Sequence, residues 1–332
     1  MKKVHVLVTG AAGFIGSFVT DELIRSGFRV VALDDLSGGY IQNVNSKALF
    51  VRGSCNNEKL IGRLFSKYRF TYVFHLAAYA AEGLSHFIKK FNYENNLIAS
   101  TNLINAAVNY GTRCFVFTSS IAVYGVNQLP MREDLVPEPE DPYGIAKLAV
   151  EYELRSTQRM FGLNYVIFRP HNVYGERQNI ADRYRNVIGI FMNQILQGKP
   201  LSIFGDGRQT RAFTYVMDVA PLIARSVLCS RAYNQVFNIG ADKKYTVNSL
   251  AREVLRAMNI PSHPIKHFPP RNEVKHAFSD HSKIEKFFRY TPRYSLQEGL
   301  RRMAEWVQKH GAKKSKAFKN IEIEKNLPMA WR

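Results

Sequence analysis

The sequence predicts an α/β protein: a doubly wound parallel sheet carrying a smaller mixed α/β substrate domain. Three observations predict it. Short apolar runs alternate with amphipathic segments of helical length as far as Arg169, the pattern of parallel strands joined by crossover helices. The first crossover opens on a glycine-rich turn, Thr9-Gly10-Ala11-Ala12-Gly13-Phe14-Ile15-Gly16. Beyond Arg169 the rhythm loosens into polar loops and short strands.

Taken in order, Val4 to Val8 reads as a buried strand and Phe14 to Arg25 as a helix that Gly27 stops. Phe28 to Leu33 and Ala48 to Val51 read as the next strands, with Glu58 to Tyr68 at helical spacing. Thr71 to Leu76 is a fourth strand, and the small Ala77 and Ala78 after it leave room for a ligand across the sheet edge. A long helix is expected over Asn92 to Asn109, a fifth strand over Cys114 to Thr118, a helix over Glu140 to Phe161 and a sixth strand over Asn164 to Phe168. In the second half come a polar loop from Asn172 to Asn186, a helix from Val187 to Leu196 and short strands around Gly205-Asp206-Gly207. Val216 to Leu228 returns to helix and Val236 to Ile239 to strand. The expected domains are therefore 1–170 with about 214–240, and about 171–213 with 241–310. Residues 311–332 are expected to be a loosely packed basic tail.

With 332 residues and a 46% hydrophobic share, the chain can bury a large core. No run approaches a membrane span, and Val4 to Val8 is too short for the core of a signal peptide. Cys55, Cys114 and Cys229 lie far apart, which points to free thiols in a reducing cytoplasm and to neither a disulfide framework nor a zinc site. The nine histidines show no metal-ligand spacing, and no metal is expected. The net charge of +19 has its densest run at Lys309, Lys313, Lys314, Lys316 and Lys319. It lacks the regular aromatic–basic interleaving of a nucleic-acid platform, so it reads as a solvated face, with some attraction for an anionic substrate.

A strand that turns through glycines into a helix aims unpaired N–H groups at one point, which favours a phosphate. Gly10 permits the tight turn, Gly13 the approach of a pyrophosphate and Gly16 close packing of helix on strand. The second strand ends in Asp34-Asp35, 18 residues beyond Gly16. A carboxylate there accepts ribose hydroxyls and repels a 2′-phosphate, so NAD is expected rather than NADP. A helix capped by Asp141 and opened by Pro142 places Tyr143 and Lys147, four residues apart, on one face. An ammonium and a positive nicotinamide would both favour phenolate at Tyr143, making it a base, while Lys147 could also hold the nicotinamide ribose. Ser119-Ser120, after the fifth strand, offers a hydroxyl to a substrate oxygen; serines in such places also simply satisfy loose backbone.

The Thr-Gly-x-x-Gly-x-x-Gly loop, the Tyr-x-x-x-Lys pair and the serine before Val123-Tyr124-Gly125 together resemble the extended short-chain dehydrogenase/reductases with a Rossmann fold. Within them the chain resembles the UDP-glucose 4-epimerases, from about Lys3 to about Lys309. The resemblance implies a bound NAD touched by Gly10, Ala12, Gly13, Phe14, Ile15, Gly16, Asp34, Leu76, Ala77, Ala78, Asn96, Tyr143 and Lys147. It implies catalysis by Tyr143, Lys147 and Ser120 on a UDP-hexose. Ser120 and Tyr143 would meet the sugar, Asn172 and Asn186-Val187 the sugar phosphate and diphosphate, Phe204 the uracil, Arg211 and Arg271 the diphosphate, Glu273 the uridine ribose, and Ala277 the sugar. It also implies a homodimer through the helices around Asn92 to Asn109 and Glu140 to Phe161.

Related dehydratases carry Asp-Glu after the active-site hydroxyl, and related decarboxylases keep the glutamate. Here Ile121 and Ala122 stand instead and cannot move protons, which disfavours both reactions. Ser54-Cys55 replaces an acid that usually holds adenine, Ala80 lies near a lysine that some 4-epimerases use beside the cofactor phosphates, and Ala277 leaves room for a 2-acetamido group. Three alternatives stay open: a UDP-glucuronate 4-epimerase, a nucleotide-sugar 4-ketoreductase, and an NAD(H)-sensing binding protein without turnover.

Overall fold

The computed structural model describes residues 4–126, 128–270, 274–315, 317–328 and 331. Its centre is a seven-stranded parallel sheet. Six strands come from the first half: β1 (His5–Thr9), β2 (Arg29–Asp34), β3 (Leu49–Arg52), β4 (Tyr72–His75), β5 (Cys114–Thr118) and β6 (Asn164–Pro170). The seventh, Gln235–Ile239, pairs with β6 at one edge, and the order runs from it through β6, β5, β4, β1 and β2 to β3. The chain reverses direction across the sheet between β1 and β4, which opens a crevice at the strands' carboxyl ends.

Both faces of this sheet are buried, as a parallel sheet requires. Side chains alternate between them: Val6, Val8 and Val116 pack into one core and Leu7, Val73 and Phe115 into the other. The helix α1 (Phe14–Arg25) begins at Gly13, and no side chain caps it. The next helix, α2 (Glu58–Tyr68), is capped by the Asn57 carboxamide, which accepts from the Leu60 N–H at 3.0 Å. Thus the one helix end that faces the glycine turn keeps its first-turn donors.

The expected long helix over Asn92 to Asn109 differs in detail. It runs from Lys89 through a π-helical turn at Glu94–Ile98 into the regular helix Ala99–Asn109. The second half adds the helices Val187–Leu196, Val247–Ala257 and Leu296–His310. Its strands Leu201–Phe204 and Ile265–Phe268 pair in parallel, and Thr210–Ala212 lies between Lys244–Thr246 and His276–Ala277.

The expectation of a loose tail is corrected. Leu327 and Trp331 are buried, and with Phe318 and Ile321 they pack on Ala81, Leu84, Ile88 and Tyr184. The tail carries enough apolar side chains at irregular spacing to bury a small core of its own, and its lysine run conceals them in the sequence. No helix among the described residues is long and apolar enough to cross a membrane.

Candidate active site

A cavity of about 1510 Å³ opens along the carboxyl ends of the sheet strands. Pockets for one drug-sized ligand span roughly 300–1,000 Å³, so this one has room for a dinucleotide and a second nucleotide. Of the residues singled out from the sequence, Gly10, Gly13, Phe14, Ile15, Gly16, Asp34, Leu76, Ala77, Ala78, Ser120, Tyr143, Lys147, Asn172, Asn186, Phe204, Arg211 and Ala277 line it.

At one end lies the glycine turn. Gly10 has φ +69°, and a Cβ there would come within 2.8 Å of the Ala77 nitrogen. At Gly16 a Cβ would sit 2.0 Å from the Gly10 carbonyl oxygen, so only glycine lets α1 lie this close. The Asp34 carboxylate accepts from the Ala12 N–H at 3.0 Å and the Leu36 N–H at 2.8 Å, which fixes it at the cavity wall. Burial raises its pKa, and those backbone donors oppose the shift. Ala12 is fully buried and acts on the site through this N–H rather than by lining it.

The ledge after β4 is tied to β1. His75 Nδ1 lies 2.7 Å from Thr9 Oγ1 and its Nε2 2.8 Å from Ser100 Oγ, while Thr9 Oγ1 accepts from the Ala77 N–H at 3.2 Å. Burial, aided by the charge of Lys147, holds the His75 pKa down at about 3, so the ring is neutral. Asn96 is buried and is not among the residues that line the cavity. Its carboxamide accepts from the Tyr79 N–H and donates to the Tyr79 carbonyl and to Asn92. Asn95 lines the cavity instead. Both residues lie in the π turn, a feature frequent at functional sites.

Tyr143 sits in the first turn of the helix Pro142–Phe161, with its phenol buried. Asp141 caps that helix through the Gly144 N–H at 2.9 Å, and Ser85 Oγ accepts from the Tyr143 N–H at 3.2 Å. Asn92 donates to the Pro142 carbonyl at 2.8 Å, so Tyr79, Asn96 and Asn92 form a polar line from the ledge to the Tyr143 turn. Ser120 stands close enough to the Tyr143 phenol to favour its ionised form. Lys147 Nζ donates to the Thr118 carbonyl at 2.8 Å and lies 5.7 Å from the Tyr143 ring centroid.

The electrostatics correct one expectation. Burial pushes the Tyr143 phenol above its ordinary pKa and Glu82 adds to this, while Ser120 opposes it. Lys147, whose Nζ lies 5.7 Å from the ring centroid, is not among the main charges that shift it. Burial also lowers the Lys147 pKa to about 7, against the attraction of Glu151. That carboxylate pairs with Arg169 through two bonds of 2.9 and 2.6 Å, both side chains fully buried.

The far end is lined by Phe204, stacked on Phe268 at 5.4 Å. Arg211 reaches the cavity, but its guanidinium donates to the carbonyls of Thr210, Lys275 and Val274. Asn172 and Asn186 hold φ of +41° and +60°, a region that asparagine tolerates better than most residues. Their carboxamides donate to the carbonyls of Ala212 and Val173. Val187 begins its helix and packs against the core without lining the cavity. Arg271 and Glu273 lie outside the described residues.

Sequence reasoning missed several lining residues: Tyr79, Glu82, Arg185, Phe268 and the C-terminal group Ile323, Lys325, Asn326, Pro328 and Trp331. Arg185 stands over the Tyr79 ring at 5.0 Å and pairs with Asp182 at 2.7 Å. No local motif marks these positions, because distant loops bring them together.

The NAD dependent epimerase/dehydratase family model matches residues 6–240. The chain belongs to that family. A putative UDP-glucose 4-epimerase of Methanocaldococcus jannaschii is 34% identical over 91% of this chain and 98% of its own length. The structure of UDP-glucose 4-epimerase with UDP-glucose from Thermotoga maritima superposes with a TM-score of 0.86 at 37% identity, over 92% of this chain and 99% of that one. UDP-glucuronic acid 4-epimerase from Bacillus cereus, solved with UDP-glucuronic acid and NAD, gives 0.82 at 29% identity, over 92% of this chain and 100% of that one.

As a member of this family the protein is an NAD-dependent enzyme, and its residues fit that cofactor. The uncapped start of α1 offers N–H donors for a diphosphate, and Asp34 offers an anchored carboxylate for the ribose. The buried Ser119 hydroxyl, with no partner among the described residues, lines the cavity as a polar group left for a ligand.

Proposed function

We propose that the enzyme interconverts UDP-glucose and UDP-galactose by inverting C4 through a 4-keto intermediate. The observation that carries this reading is the convergence of Ser120, Tyr143 and Lys147 on one cavity with room for two nucleotides, with the aprotic Ile121 and Ala122 beside Ser120. Bound NAD supplies a reversible hydride acceptor, and its positive charge offsets the burial that otherwise keeps the Tyr143 phenol protonated.

The protein's own part is proton transfer and grip. Tyr143 takes the proton of the sugar 4-hydroxyl, Ser120 bridges the two oxygens, and Tyr143 later returns the proton to that oxygen once the keto sugar has turned its other face to the hydride donor. Lys147 holds the nicotinamide ribose and keeps a cation under the phenol ring. Ile121 and Ala122 offer no acid or base, so neither elimination of water nor decarboxylation competes. Phe204, backed by Phe268, flanks the uracil, and Asn172, Asn186 and the arginines Arg211 and Arg271 hold the diphosphate, with Glu273 on the uridine ribose. Remote binding of this kind lets the keto sugar turn over while the nucleotide stays put. Ala277 leaves space for a 2-acetamido group, so UDP-GlcNAc and UDP-GalNAc are further substrates in this reading. Ile98, Ile145, Tyr152, Met160 and Phe161 leave apolar surface exposed on the two helices expected to pair, which supports a homodimer.

A second reading, UDP-glucuronate 4-epimerase, is favoured by Arg185, a cavity cation whose charge reaches Tyr143. The B. cereus and Thermodesulfobacterium geofontis proteins of that name are relatives. The test is incubation without added cofactor with UDP-glucose, UDP-galactose, their N-acetyl forms and UDP-glucuronate, followed by chromatographic separation of the epimers. Conversion of UDP-galactose to UDP-glucose supports the proposal. Conversion of UDP-glucuronate alone supports the second reading. A need for stoichiometric NADH indicates a 4-ketoreductase, and reduced cofactor without any product indicates a binding protein.

A further inference from the structure

The segment after His310 lies beyond the part of the chain that the family model matches, so the family match gives it no role. It is nevertheless built into the catalytic cavity. Asn193 and Gln197 anchor it by donating to the Lys313 carbonyl at 3.0 and 2.6 Å. The Phe318 N–H donates to the Tyr184 hydroxyl at 2.9 Å, and the Phe318 ring packs edge-on against Phe91 at 4.9 Å. The Glu322 carboxylate accepts from the N–H groups of Lys90 and Phe91 at 2.8 and 2.9 Å, capping the helix that leads into the π turn. Trp331 stands edge-on to both Tyr184 at 5.5 Å and Phe87 at 6.0 Å, its ring 3.0 Å from where a Cβ on Gly83 would lie.

These contacts join two separate walls. One is the 79–93 stretch, which carries the Ser85 and Asn92 bonds to the Tyr143 turn. The other is the loop around Tyr184 and Arg185. The segment's inner side, Ile323, Lys325, Asn326, Pro328 and Trp331, faces the same cavity as Tyr143. The exposed Lys313, Lys314 and Lys319 account for its hydrophilic appearance in the sequence.

We infer that residues 318–328, with Trp331, are a wall of the active site that confines the oxidised sugar during turnover, with Trp331 as the clasp between the two loops. This rests on the proposed epimerase reading. The chemical need is specific. When C4 loses its hydride and the hydroxyl its proton, the keto sugar is held only by its nucleotide and must turn about the diphosphate link. If it leaves then, the hydride stays behind as NADH and the enzyme is stranded in the reduced form. A closed wall lowers that loss without touching the reacting atoms, so Trp331 is a positioning residue.

The test compares the full chain with a variant ending at Ala317 and with Trp331→Ala and Trp331→Phe, each prepared with bound NAD. Three readouts are followed: KM and kcat on the best substrate of the panel, growth of reduced-cofactor absorbance per turnover, and loss of NAD on dialysis. Thermal melts report folding. The truncation and Trp331→Ala should raise reduced-cofactor accumulation per turnover by about tenfold, the scale of the aromatic contacts of one side chain. KM should rise with little change in kcat, and Trp331→Phe should restore most of both. A Trp331→Ala protein that melts like the full chain and matches it in KM, reduced-cofactor accumulation and NAD retention would overturn the inference. If the full chain converts none of the UDP-sugars, the epimerase reading fails by itself. NAD loss on dialysis then still decides the wall: faster loss from both variants supports closure, and equal loss refutes it.

Discussion

The two sides of the cavity are made by different means. On the cofactor side the backbone does the shaping: a glycine turn, an uncapped helix start and an aspartate held by two N–H groups. On the substrate side the shaping falls to side chains from separate loops, including Phe204, Arg211, Arg185 and Trp331. A backbone device tolerates almost no change, because one added Cβ collides with main chain. A side-chain wall can be re-cut residue by residue, which changes what is admitted while the chemistry stays. The difference explains how family members with one sheet and one cofactor come to bear the names of several UDP-sugar epimerases.

The sharpest way to break this contrast is Gly16→Ala. Its Cβ would fall 2.0 Å from the Gly10 carbonyl oxygen, so the expected protein carries no bound dinucleotide and melts early. Quantifying nucleotide released from purified protein checks this, and a full complement of NAD would show that the turn is not rigid. Glu151→Gln comes next. It leaves Arg169, 1% exposed, without its counter-charge. Breaking one partner of a buried pair costs about 3–5 kcal/mol, to be read from urea unfolding. On the substrate side Ala277→Tyr should act on selectivity alone. Turnover of UDP-GlcNAc should drop by about 10–200-fold relative to UDP-glucose, the range for filling an apolar pocket. No UDP-GlcNAc turnover by either protein would discard the role given to Ala277.

The smallest effect concerns Lys147. Its folded pKa of about 7 lies below the ordinary 10.5, so between these values the cofactor-free folded chain binds fewer protons than the unfolded one. Stability from this group therefore rises with pH across that window, and the cost of burying the charge is fully present below about pH 7. The gain is at most about 1.4 kcal/mol per pH unit. Lys147→Met should remove that slope in melts of cofactor-free protein, and equal pH profiles for both proteins would show that Lys147 stays charged throughout.

The contrast also governs what could be read from the sequence. β1 to β6, the glycine turn and the Tyr143–Lys147 pair are local patterns, each visible within a few residues of itself. Asn96 sits in a π turn, which leaves no sequence signature, and there its neighbour Asn95 lines the cavity. The phenol's electrostatics were misjudged because burial and Glu82, from a loop without a motif, outweigh the lysine one turn away. The tail was misjudged because its lysines are plain in the sequence, while its partners at Gly83, Phe87 and Tyr184 are distant along the chain.

The central claim, that the Tyr143 phenol moves the proton of the sugar 4-hydroxyl, is tested most directly by Tyr143→Phe assayed with UDP-galactose and analysed for bound NAD. The account predicts a loss of turnover of about 10²–10⁴-fold with the dinucleotide still in place. Turnover within a few-fold of the unaltered enzyme would contradict it.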